Sequence, residues 1–222
     1  MNLKKKTVFI TGGRSGLGKC LAELMSAKGA VVHVCGKSAK GGSEDKNIQV
    51  HQCDVRDFDK LQTLIDSIGN IVILINAAGV WLEGDLNKYT QDQIDYVLDT
   101  NLKGLIYASK ISLPVMLKSK EGVIVNIASS AGFKEKPNET VYAASKWGVR
   151  GFTDSLREMV KGEGVRVVGV YPGGMATPFF EKGGNPKDNQ SWMDPKEVAK
   201  TIVYAVENDN TLTLDNLHIN RN

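Results

Sequence analysis

Three side chains that can bind and move protons lie close together in the second half of the chain. Tyr142 and Lys146 are one helical turn apart in the segment 141–160, whose apolar and small residues recur at helical spacing. Ser129 follows a β-branched apolar run at 121–128, which is typical of a buried strand. A strand followed by this helix would bring a hydroxyl, a phenol and an amine to one place.

A phenol beside an amine suits proton transfer to or from a carbonyl or alcohol oxygen. A free tyrosine has a pKa of about 10, so about one in a thousand is ionised at pH 7. An ammonium group one turn away favours the phenolate, and each unit of pKa lowering is worth about 1.4 kcal/mol. Ser129 would hold the reacting oxygen beside Tyr142. A tyrosine and a lysine at this spacing also occur in ordinary helices, so the pair alone does not establish the chemistry.

A glycine-rich turn near the N-terminus indicates a binding site for a pyrophosphate. A strand at 7–11, a turn at 12–18 and helical spacing at 19–28 follow one another. Glycines let the backbone approach a phosphate, and the helix N-terminus presents free N–H groups to it. Between a strand and a helix, such a turn is a stronger signal than a glycine repeat alone.

The turn and the tyrosine–lysine pair together resemble the short-chain dehydrogenase/reductase family, in its compact single-domain form. The turn reads T-G-x-x-x-G-x-G from Thr11, residues 76–79 read N-A-A-G, and residues 172–177 read P-G-x-x-x-T. The resemblance spans nearly the whole chain. It implies an NAD(P)-dependent oxidoreductase that acts on CH–OH and C=O groups.

The resemblance also implies a role for each of four catalytic residues. Tyr142 would be the general acid in reduction and the general base in oxidation, and Lys146 would lower its pKa and hydrogen-bond the cofactor ribose. Ser129, which matches the family's spacing better than Ser130, would stabilise charge on the carbonyl oxygen. Asn101 would kink a helix and hold a water that connects Lys146 to solvent.

The implied cofactor contacts follow several strand ends. Asp54 would bind the adenine amino group and Val55 would cover the ring, although Asp54 could instead cap a helix at 58–68. Asn76 would steady the sheet, and the segment 172–177 would bind the nicotinamide carboxamide. The full set is Gly12, Arg14, Ser15, Gly16, Leu17, Gly18, Lys37, Asp54, Val55, Asn76, Ala77, Ala78, Gly79, Tyr142, Lys146, Pro172, Gly173, Met175 and Thr177.

The residues after the second strand favour NADP over NAD. An NAD site usually places an acid about 20 residues beyond the glycines, on the ribose 2′-hydroxyl. The segment 35–38 contains no acid, and the cations Arg14 and Lys37 suit a 2′-phosphate. The alternative is that Lys37 is a solvated loop residue.

Composition argues against several other classes of protein. The chain has 222 residues, of which 41% are hydrophobic, and a net charge of +3, which is too mild to indicate a nucleic-acid partner. No run approaches the roughly 18 apolar residues of a membrane span, and the run after Lys4–Lys6 is too short for a signal peptide. Cys20, Cys35 and Cys53 have no metal-ligand spacing, which favours free thiols. We expect a cytoplasmic protein with no metal.

Alternating strands and helices predict a doubly wound parallel α/β sheet, a Rossmann fold, in one domain over residues 1–222. A polar segment with aromatic residues at about 178–193 is expected to be a substrate lid. The other pocket walls are expected at 80–86 and 131–140. Members of the family usually form homodimers or homotetramers through the helices that carry Asn101 and Tyr142, and we expect the same here.

Taken together, the motifs predict an NADP(H)-dependent reductase of a small ketone or aldehyde, working in either direction. Two alternatives stay open. One is an NAD-dependent alcohol dehydrogenase; the other is a dinucleotide-binding regulator without catalysis, which typically lacks the tyrosine or lysine that this chain retains. An epimerase or dehydratase of the related larger family would need a C-terminal substrate domain, for which the segment after Thr177 is too short.

Overall fold

A seven-stranded parallel sheet organises the protein. The computed structural model describes residues 1–37, 45–184, 186–208 and 212–221. The strand order is β3-β2-β1-β4-β5-β6-β7, which is that of a doubly wound sheet and confirms the predicted fold class. The strands are β1 (Thr7–Thr11), β2 (Val31–Gly36), β3 (Ile48–Gln52), β4 (Ile73–Asn76), β5 (Gly122–Ile127), β6 (Val165–Pro172) and β7 (Asn216–Ile219).

Helices connect the strands. They are α1 (Gly16–Ala27), α2 (Phe58–Ile68), α3 (Gln91–Leu98), α4 (Gly104–Ser119), α5 (Thr140–Met159), α6 (Phe179–Lys182) and α7 (Pro195–Glu207), with short 3₁₀ turns at Leu86–Lys88 and Ser130–Gly132. Asp194 caps α7 and Pro195 follows it, as the sequence predicts.

Both faces of the sheet are buried because side chains alternate along each strand. Val8 and Ile10 of β1 belong to one core cluster, together with residues of α1 and α7. Phe9 between them belongs to a second cluster, with residues of α2, α4 and α5. Helices thus cover the sheet on each side, which explains the uninterrupted apolar strand sequences.

The structure departs from the predicted elements in three places. A π-helical turn at Asp99–Lys103 joins α3 to α4, so the interruption expected at Asn101 is a widened helical turn. The predicted lid contains the short helix α6. The apolar pattern of the sequence predicts a last strand at 212–219, and in the structure this strand begins at Asn216.

Two further observations concern the whole described chain. The polar, Gly/Ser-rich sequence at 37–47 predicts a loop or one short helix, and most of it lies outside the described residues, as does Asn185 of the lid. Within the described ranges, no helix is both long enough and apolar enough to cross a membrane.

Candidate active site

A cleft of about 720 Å³ opens at the carboxyl ends of the strands. Neighbouring strands β1 and β4 send their connections in opposite directions there, which leaves a crevice in doubly wound sheets. The wall includes Ser129, Tyr142 and Lys146. Many of the predicted cofactor residues also line it, namely Gly12, Ser15, Gly16, Leu17, Gly18, Ala77, Gly79, Pro172, Gly173, Met175 and Thr177.

Ser129, Tyr142 and Lys146 are brought together at one end of this cleft. Ser129 follows β5 and caps the short turn Ser130–Gly132, where its Oγ accepts a hydrogen bond from the Ala131 N–H at 3.1 Å. Tyr142 and Lys146 lie on α5, with the Lys146 Nζ 5.7 Å from the centre of the Tyr142 ring. The Lys146 Nζ donates a hydrogen bond to the Ile127 carbonyl at 3.0 Å, which fixes the amine beside the end of β5.

Burial controls the ionisation of both groups. It raises the pKa of the Tyr142 phenol, against a hydrogen bond with Ser129 that lowers it, and the charge of Glu139 raises it slightly further. Burial also lowers the pKa of Lys146 to about 8. The predicted lowering of the Tyr142 pKa by Lys146 is therefore not seen in this structure, because burial disfavours the charged form of each group. The phenol is neutral at pH 7, which is the form that can donate a proton.

Asn101 joins the π-helical turn to the cleft wall. Its Oδ1 accepts from the Val80 N–H at 2.7 Å, and its Nδ2 donates to the Val80 carbonyl at 2.9 Å and to the Ser145 Oγ at 3.0 Å. The Ser145 hydroxyl donates in turn to the Tyr142 carbonyl at 2.6 Å. This chain of hydrogen bonds ties the first turn of α5 to the loop after β4. Ser145 was not predicted as a site residue from the sequence, although it lies one turn after Tyr142.

Asn76 does not line the cleft but is buried inside the sheet. Its Nδ2 donates to the Asn126 Oδ1 at 2.9 Å and to the Ser109 Oγ at 3.1 Å, and Asn126 donates to the Thr153 Oγ1 at 3.0 Å. These side chains connect β4, β5, α4 and α5. Because a buried polar group without a partner is costly, such a network holds these elements in one register. The arrangement agrees with the steadying role predicted for Asn76.

The glycine-rich turn forms a backbone cradle in which the positions of Gly12 and Gly18 leave no room for a side chain. Gly12 has a φ of +69°, and a Cβ atom there would lie 2.7 Å from the Ala78 Cα. A Cβ atom at Gly18 would lie 2.4 Å from the Gly12 carbonyl oxygen. The turn precedes the N-terminus of α1, whose free N–H groups favour an anion. The residues present therefore fit the pyrophosphate of a dinucleotide cofactor.

Thr177 faces the glycine-rich turn from the opposite side. A Cβ atom at Gly16 would lie 3.3 Å from the Thr177 Cβ, so the segment after β6 closes on the turn after β1. An isolated β-bridge between the backbones of Met175 and Met193 holds this segment against the C-terminal end of the lid. The motif at 172–177 is thus positioned by the sheet on one side and the lid on the other.

Cationic side chains surround Tyr96 near the end of β2. The Lys37 Nζ is 5.2 Å and the Arg56 Cζ 4.7 Å from the centre of the Tyr96 ring, distances at which cations are attracted to an aromatic face. The Arg14 side chain lies next to Gly36, with its Cγ 3.6 Å from the position of a Cβ there. Arg14 and Lys37 therefore both lie near the end of β2, and their binding of a 2′-phosphate stays a prediction. Arg56 and Tyr96 were not identified from the sequence.

Asp54 and Val55 lie close to this basic rim but do not line the cleft. The Arg56 guanidinium donates to the Asp54 Oδ2 at 2.7 Å and to the Oδ1 at 3.1 Å, and these hydrogen bonds hold the pKa of Asp54 below its usual value. The alternative in which Asp54 caps α2 is wrong, since Asp57 holds that position and accepts from the Lys60 N–H. The Val55 side chain is buried against Gly104, 2.6 Å from the position of a Cβ there.

The chain belongs to the short-chain dehydrogenase family, which it matches over residues 6–188. It is 32% identical over 215 residues to an uncharacterised oxidoreductase of Staphylococcus aureus strain MW2, covering 92% of each chain. The protein is thus an oxidoreductase of that family.

Two solved structures support the same assignment. Aldohexose dehydrogenase of Thermoplasma acidophilum is 27% identical, with a TM-score of 0.88 over 98% of this chain and 93% of that one. ElxO with NADP bound is 28% identical, with a TM-score of 0.86 over 97% of each chain.

Proposed function

We propose that the protein is an NADP(H)-dependent oxidoreductase that interconverts a ketone or aldehyde and the corresponding alcohol. The observation that carries the proposal is the convergence of Ser129, Tyr142 and Lys146 at one end of a cleft whose other end is the glycine cradle. A proton donor for an oxygen atom and a dinucleotide site thus share one cavity. The family membership supports oxidoreductase chemistry, and the side chains suggest which bond is involved.

The proton comes from the Tyr142 phenol in the reducing direction. Because burial raises its pKa, the phenol is protonated at neutral pH and is a competent general acid. Ser129, which is hydrogen-bonded to the phenol, would also donate a hydrogen bond to the carbonyl oxygen and so stabilise the negative charge that develops there. In the oxidising direction Tyr142 would accept the alcohol proton as a general base.

Lys146 would supply a positive charge near Tyr142. This charge would stabilise the phenolate that forms when the phenol gives up its proton, so that the transfer can run in both directions. With a pKa of about 8, the amine is mostly protonated at pH 7 and carries the charge that this role needs. Asn101, through Val80 and Ser145, holds α5 and the loop after β4 in place. We assign Asn101 a positioning role for Tyr142 and Lys146, in addition to the water-holding role that the family resemblance implies.

The cofactor that fits the cleft is NADP(H). The cradle at Gly12–Gly18 would hold the pyrophosphate, and Arg14 and Lys37 would bind the 2′-phosphate at the end of β2. Bound NADPH supplies the hydride. The NADP-bound neighbour at 28% identity supports this choice over NAD.

A turnover assay with both cofactors tests the proposal. Wild-type protein is incubated with NADPH or NADH and a panel of ketones and aldehydes, and oxidation of the reduced nicotinamide is followed. We expect carbonyl-dependent oxidation with a higher kcat/KM for NADPH. Binding of NADPH without turnover of any carbonyl compound or alcohol would instead support a regulator that only binds dinucleotide.

We also propose a homo-oligomer formed through α4 and α5. Large apolar side chains are exposed on these helices, namely Val115, Trp147 and Met159. Exposed apolar groups of this kind favour association when they share a surface. Sedimentation velocity is expected to give the mass of a dimer or tetramer; a monomer at micromolar concentration would contradict this.

A further inference from the structure

Aromatic side chains from three segments converge over Tyr142. Phe179 and Phe180 of α6 lie 5.5 Å apart between ring centres, and Phe180 is 4.7 Å from Trp81 and 5.1 Å from Trp192. The Phe179 ring is 6.3 Å from the Tyr142 ring. Edge-to-face rings at these distances form an apolar wall. Rings therefore form one wall of the cleft beside Tyr142, and polar side chains complete the lining.

Two of the charged side chains that line the cleft, Lys187 and Glu83, are paired with each other, and Lys136 and Glu139 also line it. The Lys187 Nζ lies 2.7 Å from a Glu83 carboxylate oxygen, and the same ammonium lies 5.2 Å from the Trp81 ring centre. A charged substrate would have to compete with this ion pair for either partner. The wall thus suits an uncharged compound, and the ion pair fastens the lid to the loop after β4.

Trp81 carries an unpartnered hydrogen-bond donor. Its side chain is 96% buried, with a relative exposure of 4%, and its Nε1 has no hydrogen-bond partner. Among the described residues, four other buried side-chain atoms have no hydrogen-bond partner, and none of their residues lines the cleft. They belong to Asn76, Thr100, Ser112 and Tyr171. Buried donors in native proteins are nearly always paired. An indole N–H left unpaired in the cleft wall points to an acceptor atom on a ligand.

We propose that the substrate is an uncharged carbonyl compound built on a ring and carrying a second oxygen acceptor. The ring packs among Phe179, Phe180 and Trp192, the reacting carbonyl meets Tyr142, and the second oxygen accepts a hydrogen bond from the Trp81 Nε1. The inference rests on the carbonyl reduction proposed above, because it names the substrate class of the same site. It predicts that polyhydroxylated or charged compounds are poor substrates.

A substrate series isolates the two features. It contains aryl and cyclic diketones that place the second carbonyl at increasing distance from the first, the matching monoketones, acyclic ketones of equal carbon number, and two polar compounds, an aldose and serine. We expect kcat/KM with NADPH to be at least tenfold higher for the best ring diketone than for its acyclic counterpart. We expect little or no NADP reduction with the aldose or with serine.

Two tryptophan variants test the hydrogen bond against the ring contact. Trp81→Phe removes the indole N–H but keeps an aromatic ring, and we expect it to lower kcat/KM for the ring diketone about 5- to 10-fold more than for the monoketone. Trp192→Phe makes the same chemical change in the same wall and serves as the control. It should change kcat/KM for the diketone and for the monoketone by the same factor. Phe180→Leu, which removes a ring, should lower the preference for ring over acyclic ketones about fivefold.

A binding measurement supplies a readout that does not depend on turnover. The Tyr142→Phe protein loaded with NADPH is titrated with the ring diketone by calorimetry, with and without Trp81→Phe. We expect the second substitution to weaken binding of the diketone about 5- to 10-fold and to leave binding of the monoketone within twofold.

The outcomes separate this inference from the proposed function. Reduction of acyclic ketones by NADPH, or oxidation of the aldose or of serine by NADP, as efficient as the turnover of ring compounds would keep the oxidoreductase proposal and overturn the substrate class. An equal effect of Trp81→Phe on diketone and monoketone would overturn the hydrogen bond. Absence of turnover with every carbonyl compound and alcohol, despite NADPH binding, would overturn the proposed function and the inference with it.

Discussion

Replacing Lys146 by methionine is expected to stabilise the protein while removing its activity. Lys146 is 4% exposed, and burial lowers its pKa from 10.5 to about 8. A shift of that size corresponds to about 3 kcal/mol that opposes folding at pH 7, where the lysine is protonated both folded and unfolded. Methionine fills a similar volume without a charge. The lost hydrogen bond to the Ile127 carbonyl offsets the gain by about 1 to 2 kcal/mol.

The sign of the pH dependence follows from the direction of the shift. Because the folded pKa of Lys146 lies below the unfolded value, the unfolded chain holds more protons between about pH 8 and 10.5. The destabilisation caused by burying Lys146 therefore decreases as the pH rises through that window, and the free energy of unfolding of the wild type increases. The advantage of Lys146→Met should be largest at pH 7 and should shrink by about 2 to 3 kcal/mol by pH 10.

Urea denaturation of the two proteins at pH 7 and pH 10 measures this difference. Lys161→Met is a suitable control because the Lys161 side chain is 76% exposed, so its replacement should change the free energy of unfolding by a few tenths of a kcal/mol at either pH. If the free energies of unfolding of wild type and Lys146→Met differ by the same amount at both pH values, burial does not perturb the ionisation of Lys146 and the prediction is wrong.

Three further substitutions test the cofactor rim, the helix cap and the Asn101 link. Lys37→Asp should lower the ratio of kcat/KM with NADPH to kcat/KM with NADH by tenfold or more, while Lys161→Asp should leave this ratio unchanged. An unaltered ratio for Lys37→Asp would show that Lys37 does not contribute to the cofactor preference. Asp57→Ala should lower the free energy of unfolding by about 1 kcal/mol, and an unchanged urea midpoint would contradict its capping role. Asn101→Ala strands the Val80 amide and should cost about 1 to 3 kcal/mol of stability together with most of kcat; full activity would refute its positioning role.

Local sequence was sufficient to predict the sheet and the main motifs. The apolar run at 71–75 and the glycine-rich turn depend on short-range constraints, namely burial on both faces and close backbone approach, which appear directly in residue type. The helical spacing of Tyr142 and Lys146 likewise fixed their shared position on α5. These features require no knowledge of what packs against them.

Long-range packing was not visible in the sequence. The ionisation of Tyr142 and Lys146 depends on their burial in the folded protein, and the aromatic wall forms only because the segments after β4 and β6 meet in space. The pairing of Arg56 with Asp54 is local, yet its contact with Tyr96 joins residues of distant segments. The choice between Asp54 and Asp57 as the cap is different, because Asp57 directly precedes the helix that begins at Phe58 and is the local signal for its N-terminus.

Transfer of isotope from the cofactor to the substrate tests the central claim most directly. NADPH deuterated on the transferable face of the nicotinamide is incubated with a ketone and either wild type or Tyr142→Phe, and the alcohol is examined by mass spectrometry. We expect deuterium on the new carbinol carbon with wild type and almost none with Tyr142→Phe, although both bind NADPH equally. Undiminished transfer by Tyr142→Phe would contradict the account.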